Sequence, residues 1–81
     1  MEILVNMERI IRNKEKGEYF LQNDIKAFIK DTNNNFYFCD ILVVGETHLL
    51  VHNFAGNRVG ENSSILWCDV ETFSEYKERG K

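Results

Sequence analysis

The spacing of apolar residues changes from a helical to a strand period at Gly17, and this change constrains the fold most. Before Gly17 the apolar side chains recur at intervals that place them on one side of a helix. We therefore predict an amphipathic helix over residues 2–14, inside a helical segment 1–16 that ends at Gly17. The stripe consists of Ile3, Leu4, Met7, Ile10 and Ile11.

Beyond Gly17 the apolar residues alternate with polar ones, which is typical of half-buried strands. The segment Phe36–Val44 is β-branched and aromatic, and such residues favour strands. Asparagines tolerate left-handed backbone, so the run Asn33-Asn34-Asn35 predicts a turn. The predicted strands cover residues 25–30, 36–44, 47–54 and 64–70, with a further short strand at 19–21.

Several short strands joined by tight turns predict a single mainly β domain over residues 1–81. We expect a small antiparallel β-barrel of about five strands over residues 18–70, because a closed sheet has no exposed edges. Phe73 and Tyr76 are three residues apart, and we predict a short C-terminal helix over residues 71–80.

Alternation within each strand predicts which side chains face the core. Phe28, Phe38 and Trp67 then lie on faces that also carry charged residues. Either the two helices cover these rings, or the rings form an exposed recognition surface. Because Cys39 and Cys68 fall on the inner faces, we predict that both are buried and reduced. The inner sets are Ile25, Ala27 and Ile29; Tyr37, Cys39, Ile41 and Val43; and Leu66, Cys68 and Val70.

The sequence shows no pattern that supports catalysis or metal binding. His48 and His52 lie four apart in a predicted strand, which separates them by roughly 13 Å, too far for one metal ion. The glycines of segment 56–60 precede a strand rather than the helix that a phosphate loop requires. We therefore predict a protein that is not an enzyme and that holds no metal or cofactor.

The charge distribution disfavours a nucleic-acid surface. Residues 18–70 hold three bases against seven acids, a net charge of −4, whereas nucleic-acid binding draws on Lys and Arg contacts to phosphates. An acidic barrel with aromatic side chains suits a cationic ligand better. No apolar run approaches the ~18 residues of a membrane span, so we expect an intracellular protein, cytoplasmic or nuclear, without a membrane partner.

Residues 24–73 resemble a Tudor domain of the group that includes chromo-barrel domains. This resemblance implies an SH3-like small barrel, and such domains bind methylated lysine or arginine in a cage of aromatic rings. The matching motifs are Asp24-Ile25-Lys26-Ala27, Asp31 with Phe36-Tyr37, Val51-His52-Asn53-Phe54 with Gly56-Asn57, and Leu66-Trp67-Cys68-Asp69-Val70.

Under this resemblance Tyr37 and Phe54 occupy positions of the aromatic cage. Ile29 stands at the first-strand cage position, and the fourth-strand position falls near Ser63 or Ser64. We predict a binding module that recognises a protein or peptide segment, basic or methylated. Its candidate ligand-binding residues are Tyr37, Phe54, Asn53, Asn57 and Asp31.

A second resemblance leaves another class of function open. Sm-like proteins, which bind RNA, also place an N-terminal helix before a bent five-stranded barrel, although Cys39 stands here at a position where their second strand usually has glycine. RNA or single-stranded DNA would then stack on aromatic residues. The candidate platform is Lys26, Phe28, Lys30, Phe38 and Trp67.

A scaffold or subunit-interface role is a further alternative. The apolar stripe of the first helix can dock on its own barrel, because so small a barrel needs extra core. The same stripe can instead dock on a second copy of the chain, which would make a homodimer.

Overall fold

The N-terminal helix, α1, is longer than the sequence pattern predicts. In the computed structural model, which describes residues 2–77 and their side chains from Met7 onward, α1 spans Glu2–Gln22. The predictions of a helix end at Gly17 and of a strand at residues 19–21 are therefore wrong. Gly17 is buried inside the helix, where an added Cβ would lie 3.2 Å from Cη2 of Trp67. Glycine here permits close packing and does not end the helix.

The side of α1 that packs against the sheet is not centred on the predicted apolar stripe. Asn13, Gly17 and Phe20 are buried, and their spacing of four and three residues places them on one side of the helix. Met7 and Ile11 of the stripe are 53% and 54% exposed. The helix therefore docks on its own sheet mainly through its second half.

Five antiparallel strands form a single sheet in the order β4-β3-β2-β1-β5. The predicted mainly β architecture with an N-terminal helix is thus confirmed, and the bounds of the second strand agree with the prediction. The strands are β1 Ala27–Asp31, β2 Phe36–Val44, β3 His48–Ala55, β4 Asn62–Leu66 and β5 Val70–Glu75.

The predicted C-terminal helix is wrong for the described residues 71–77, and residues 78–80 of it lie outside them. β5 pairs with β1, with Ile29 opposite Phe73. A spacing of three places two residues on opposite sides of a strand, so Phe73 enters the core while Tyr76, just past β5, turns outward. Hydrogen bonding to the free edge of β1 decides this conformation.

The predicted strand 64–70 ends early, and its inner face is partly wrong. Trp67–Asp69 form a 3-10 turn after β4, and this turn interrupts the two-residue alternation. Consequently Trp67 is buried, whereas the predicted inner residues Leu66 and Cys68 are exposed. A register shift between Ile41 and Val43 likewise leaves Val43 exposed.

The core lies between α1 and one side of the sheet. Phe20 of α1 meets Phe73 edge to face at 5.2 Å between ring centroids, and Trp67 stacks on the same ring. The buried core residues are Phe20, Ala27, Ile29, Tyr37, Cys39, Ile41, Leu49, Val51, Ile65, Trp67, Val70 and Phe73.

The two cysteines differ in accessibility, so the prediction that both are buried is wrong for Cys68. Burial, and to a lesser extent Asp40, raises the pKa of the Cys39 thiol to about 12. We expect a thiol reagent at neutral pH to label the native protein rapidly at one site, since only thiolates react and Cys39 is inaccessible.

Mass spectrometry of the labelled protein measures this difference directly. The Cys68→Ser variant is the control, and it should react only after unfolding. Rapid double labelling of the native protein would contradict the burial of Cys39.

Candidate functional site

Five aromatic side chains form a continuous surface on the outer side of the sheet, here called the aromatic face. Each ring lies 5.1–5.9 Å from at least one other, measured between ring centroids. Phe36 is 50% exposed, and the others are partly buried. The aromatic face consists of Phe28 from β1, Phe36 and Phe38 from β2, Phe54 from β3, and Tyr76, which follows β5.

Neither predicted helix covers the aromatic face. Residues 71–75, which belong to the predicted C-terminal helix, form β5, and α1 packs against the core residues Trp67 and Phe73. Strand alternation explains the placement, because Phe28 and Phe38 are paired in the β1–β2 register and point away from the buried Ala27 and Cys39. No helix of the described part of the chain therefore packs over these rings.

Two lysines at the aromatic face are each paired with a carboxylate. The ammonium group of Lys26 lies 3.0 Å from Asp40 Oδ1 and 4.8 Å from the ring centroid of Phe54. Lys30 Nζ lies 3.7 Å from Glu71. Exposed pairs of this kind stabilise a protein by only about 0–1 kcal/mol. Their main effect is to neutralise the charges that border the rings.

Three of the five predicted ligand-binding residues are buried. Tyr37 and Asp31 are joined by a hydrogen bond of 3.0 Å from the tyrosine hydroxyl to Asp31 Oδ2. Asn53 donates to the carbonyl of Glu61 and to Ser63 Oγ. The other two candidates are at the surface: Asn57 is exposed in the β3–β4 loop, and Phe54 belongs to the aromatic face. Tyr37 and Phe54 thus lie on opposite sides of the sheet and share no cage.

Asp31 organises the turn between β1 and β2. Its carboxylate accepts hydrogen bonds from the backbone N–H groups of Asn33 and Asn35, from the Asn35 side chain and from Tyr37. Burial acts to raise the pKa of Asp31, but these hydrogen bonds together hold the pKa below its ordinary value. Burial and the Asp31 carboxylate raise the pKa of Tyr37. The predicted turn therefore has a buried anion at its base.

Four of the five predicted platform residues lie together on the outer side of the sheet. These are Lys26, Phe28, Lys30 and Phe38, whereas Trp67 is 1% exposed and lies in the core. Sequence reasoning missed Phe36 and Tyr76. Phe36 shares the parity of Phe38 in one strand, so alternation could have found it. Tyr76 was concealed by the predicted helix.

A polar cavity of about 520 Å³ adjoins the aromatic face, and we call it the loop pocket. It lies between the β1–β2 turn and the β3–β4 loop. Gly56 has φ +88°, and a Cβ there would lie 3.0 Å from Cδ2 of Phe38, so glycine keeps this ring accessible. The lining residues are Asn34, Asn35, Phe36, Phe38, Gly56, Asn57, Arg58 and Glu61.

The described residues bring no group of three or more His, Cys, Asp or Glu side chains together at a metal-binding distance. The two histidines have separate polar neighbours: Nδ1 of His48 lies 2.6 Å from Thr47 Oγ1, and Nδ1 of His52 lies 2.7 Å from Asn62 Oδ1. Among residues 2–77, no helix is long and apolar enough to span a membrane.

No family model matches this chain, and no curated protein matches it. The resemblances to Tudor and Sm-like domains therefore stay predictions. The function has to be inferred from the aromatic face, the loop pocket and the charges around them.

Proposed function

We propose that this chain is a non-enzymatic binding module whose aromatic face docks a basic segment of another protein. The observation that carries the proposal is the aromatic face itself, with Phe36 half exposed and every ring in contact with another. Clustered aromatic residues bordered by polar groups are characteristic of the energetic centres of protein interfaces.

The environment of Lys26 supports a cationic partner. Its ammonium group contacts the Phe54 ring and the Asp40 carboxylate at the same time, and both contacts favour ammonium or guanidinium groups. Residues 18–70 also carry a net charge of −4. A partner segment that alternates apolar residues with Lys or Arg would match both the rings and the net negative charge of residues 18–70.

The strand order supports the finer fold proposal, an SH3-like small barrel similar to Tudor domains. In the order β4-β3-β2-β1-β5, all neighbours are antiparallel, as expected for a meander whose last strand returns to the first. The proposed ligand site is the aromatic face rather than a cage at Tyr37, because the Tyr37 side chain is buried and donates a hydrogen bond to Asp31.

Stacking of single-stranded nucleic acid is the second candidate function. It is favoured by the convergence of Lys26, Phe28, Lys30 and Phe38 on one face. It ranks lower because both lysines are paired with carboxylates, which leaves little positive charge for phosphates.

An NMR titration tests the proposed function. A pool of basic peptides, each alternating Lys with Leu or Phe, is added to the labelled full chain, and a trimethyl-lysine version of the pool forms a second arm. We expect shifts at residues of the aromatic face, and Phe28→Ala should weaken binding about tenfold, since aromatic anchors dominate such interfaces. Tyr19→Ala, which removes an aromatic side chain 59% exposed on α1, is the matched control.

Two outcomes would contradict the proposal. One is equal loss of affinity in the Phe28→Ala and Tyr19→Ala variants. The other is the absence of shifts with either peptide pool together with shifts at the aromatic face on addition of a single-stranded oligonucleotide. The second outcome would establish nucleic-acid stacking, and the binding should then weaken steeply with salt.

A further inference from the structure

The loop pocket has the volume of a small-molecule site. Its volume of about 520 Å³ lies within the range of about 300–1,000 Å³ that ligand pockets occupy. Two loops form its walls, the turn at Asn34 and the segment from Gly56 to Glu61. Each loop forms hydrogen bonds with a buried side chain, which is Asp31 for the first loop and Asn53 for the second.

The walls of the loop pocket are fixed by hydrogen bonds from beneath. Asp31 holds the backbone of Asn33 and Asn35 at 2.8 and 2.9 Å. On the other side, Asn53 is fully buried and its side chain donates to the carbonyl of Glu61 at 2.9 Å, while the Gly60 N–H donates to the carbonyl of Asn53. A pocket held in this way loses little conformational entropy on binding.

The apolar wall of the loop pocket consists of two phenylalanine rings. Phe36 is half exposed, and Phe38 is left accessible by the missing side chain of Gly56. Flat aromatic surfaces of this kind stack on planar ligands, and nucleobases stack on them with about 1–3 kcal/mol per base. The apolar wall therefore favours a planar group over a branched aliphatic one.

The polar wall carries donors and acceptors without partners in the described part of the chain. The side-chain amides of Asn34 and Asn57 are exposed, and neither forms a hydrogen bond with a described residue. An amide offers both a donor and an acceptor, which is the combination that the edge of a nucleobase requires.

Arg58 supplies a positive charge at the rim of the loop pocket. Its guanidinium lies 5.3 Å from the ring centroid of Tyr37, and that ring is fixed by its bond to Asp31. Arg58 forms no ion pair with any described residue, unlike Lys26 and Lys30. Its forked donors match phosphate oxygens.

From these contacts we infer that the loop pocket binds a nucleotide, with the base against Phe36 and Phe38, its edge at Asn34 and Asn57, and its phosphate at Arg58. The nucleotide is either free or an exposed unit of a single strand. The lining also holds the Glu61 carboxylate, so its ionic groups are one cation and one anion, and Arg58 is the group that would contact the phosphate. This site shares Phe36 and Phe38 with the aromatic face, whereas Asn34, Asn57 and Arg58 belong to the loop pocket alone and distinguish nucleotide binding from peptide docking.

Titration of the full chain with the four nucleoside 5′-monophosphates tests the inference. Amide shifts are followed by NMR, with inorganic phosphate, a single-stranded hexanucleotide and an acidic peptide as separate arms. We expect at least one mononucleotide to shift residues 34–38 and 56–61. Arg58→Gln should weaken that binding about tenfold or more, as expected when a charged phosphate contact is lost.

Arg12→Gln is the matched control, because it removes an exposed arginine of α1 that forms no ion pair with a described residue. It should leave the nucleotide affinity within about twofold, a change below the effect of one hydrogen bond. A hexanucleotide that binds more tightly through the same residues identifies a strand as the source, and equal affinity identifies the free nucleotide.

Four outcomes would overturn the inference. Inorganic phosphate could produce the same shifts at the same concentration, which would mean a simple anion site. The acidic peptide could bind more tightly than every nucleotide. The shifts could map to Phe28 and Tyr76 rather than to the two loops, or no nucleotide could bind at millimolar concentration. Failure of peptide docking is distinguishable from failure of this inference, because Arg58→Gln removes a group of the loop pocket and leaves every ring of the aromatic face in place.

Discussion

Replacement of Trp67 by alanine is expected to lower the free energy of unfolding by about 3–5 kcal/mol, the usual loss for a buried tryptophan. Trp67 stacks on Phe73 with 6.4 Å between ring centroids and an angle of 9° between the rings. Its indole N–H also donates to the carbonyl of Gly45 at 2.8 Å. The alanine variant would remove the ring that links α1 to the sheet at Gly17.

Urea unfolding followed by far-UV circular dichroism measures this loss, because the protein has a single tryptophan and its fluorescence is removed by the substitution. A domain of this size is stable by only about 5–15 kcal/mol, so the alanine variant could fail to fold. Trp67→Phe is the milder variant, which keeps an aromatic ring but leaves the Gly45 carbonyl without its donor.

The phenylalanine variant should lose about 0.5–1.5 kcal/mol through the loss of this hydrogen bond to the partly buried Gly45 carbonyl. The matched control is Leu66→Ala at the preceding residue, which is exposed and should change stability by about 0.5 kcal/mol or less. A loss below about 1 kcal/mol for Trp67→Ala would contradict the central position of this ring.

Replacement of Asp31 by asparagine is expected to destabilise the protein by about 3 kcal/mol at neutral pH, because hydrogen bonds to a charged group are strong. The native carboxylate accepts four hydrogen bonds. An amide has only one oxygen. Its NH₂ group is itself a donor, so it could not accept hydrogen bonds from the N–H and O–H groups that the second carboxylate oxygen accepts in the native protein. The Asn33–Asn35 turn and the Tyr37 hydroxyl would both lose their anchor.

The effect should depend on pH in a defined direction. Since the pKa of Asp31 is lowered in the folded protein, its ionisation stabilises the fold fully above the unfolded-state pKa of about 3.9 and ceases to do so as pH falls through the lowered pKa. The stability difference between wild type and Asp31→Asn should therefore be largest at neutral pH and shrink below pH about 4.

Denaturant unfolding at several pH values measures this dependence. Asp24→Asn is the matched control, since Asp24 is exposed and accepts no side-chain hydrogen bond from a described residue; asparagine also tolerates its positive φ of 57°. An equal destabilisation by Asp31→Asn at neutral and acid pH would show that the carboxylate charge contributes nothing to the fold.

Local patterns predicted the parts of the fold whose conformation depends on near neighbours. β2 was predicted with the bounds Phe36–Val44, because β-branched and aromatic residues run through it without a break. The asparagine turn was predicted from side chains that tolerate left-handed backbone, and Asn34 adopts φ +67°. Alternation also placed Phe28 and Phe38 outward and Cys39 inward.

The same local patterns failed where a distant segment determines the conformation. Asp31 and Tyr37 were predicted at a ligand site, but the Tyr37 hydroxyl donates a hydrogen bond to the Asp31 carboxylate in the interior. The sequence pattern is the same whether a polar side chain forms a hydrogen bond with a buried residue or with a ligand. Only the tertiary structure separates the two, because the desolvation of the carboxylate depends on what packs around it.

By itself, then, the sequence determined the mainly β class, the turn at residues 33–35 and the outward orientation of Phe28 and Phe38. These features depend on spacings of a few residues. Tertiary structure alone decided that α1 continues through Gly17, where Trp67 packs against it. It also decided that residues 70–75 form a strand on β1 instead of a helix. In both places contacts between residues 39 to 50 positions apart outweigh local propensity. Local propensity is a weak preference of less than about 1 kcal/mol per residue.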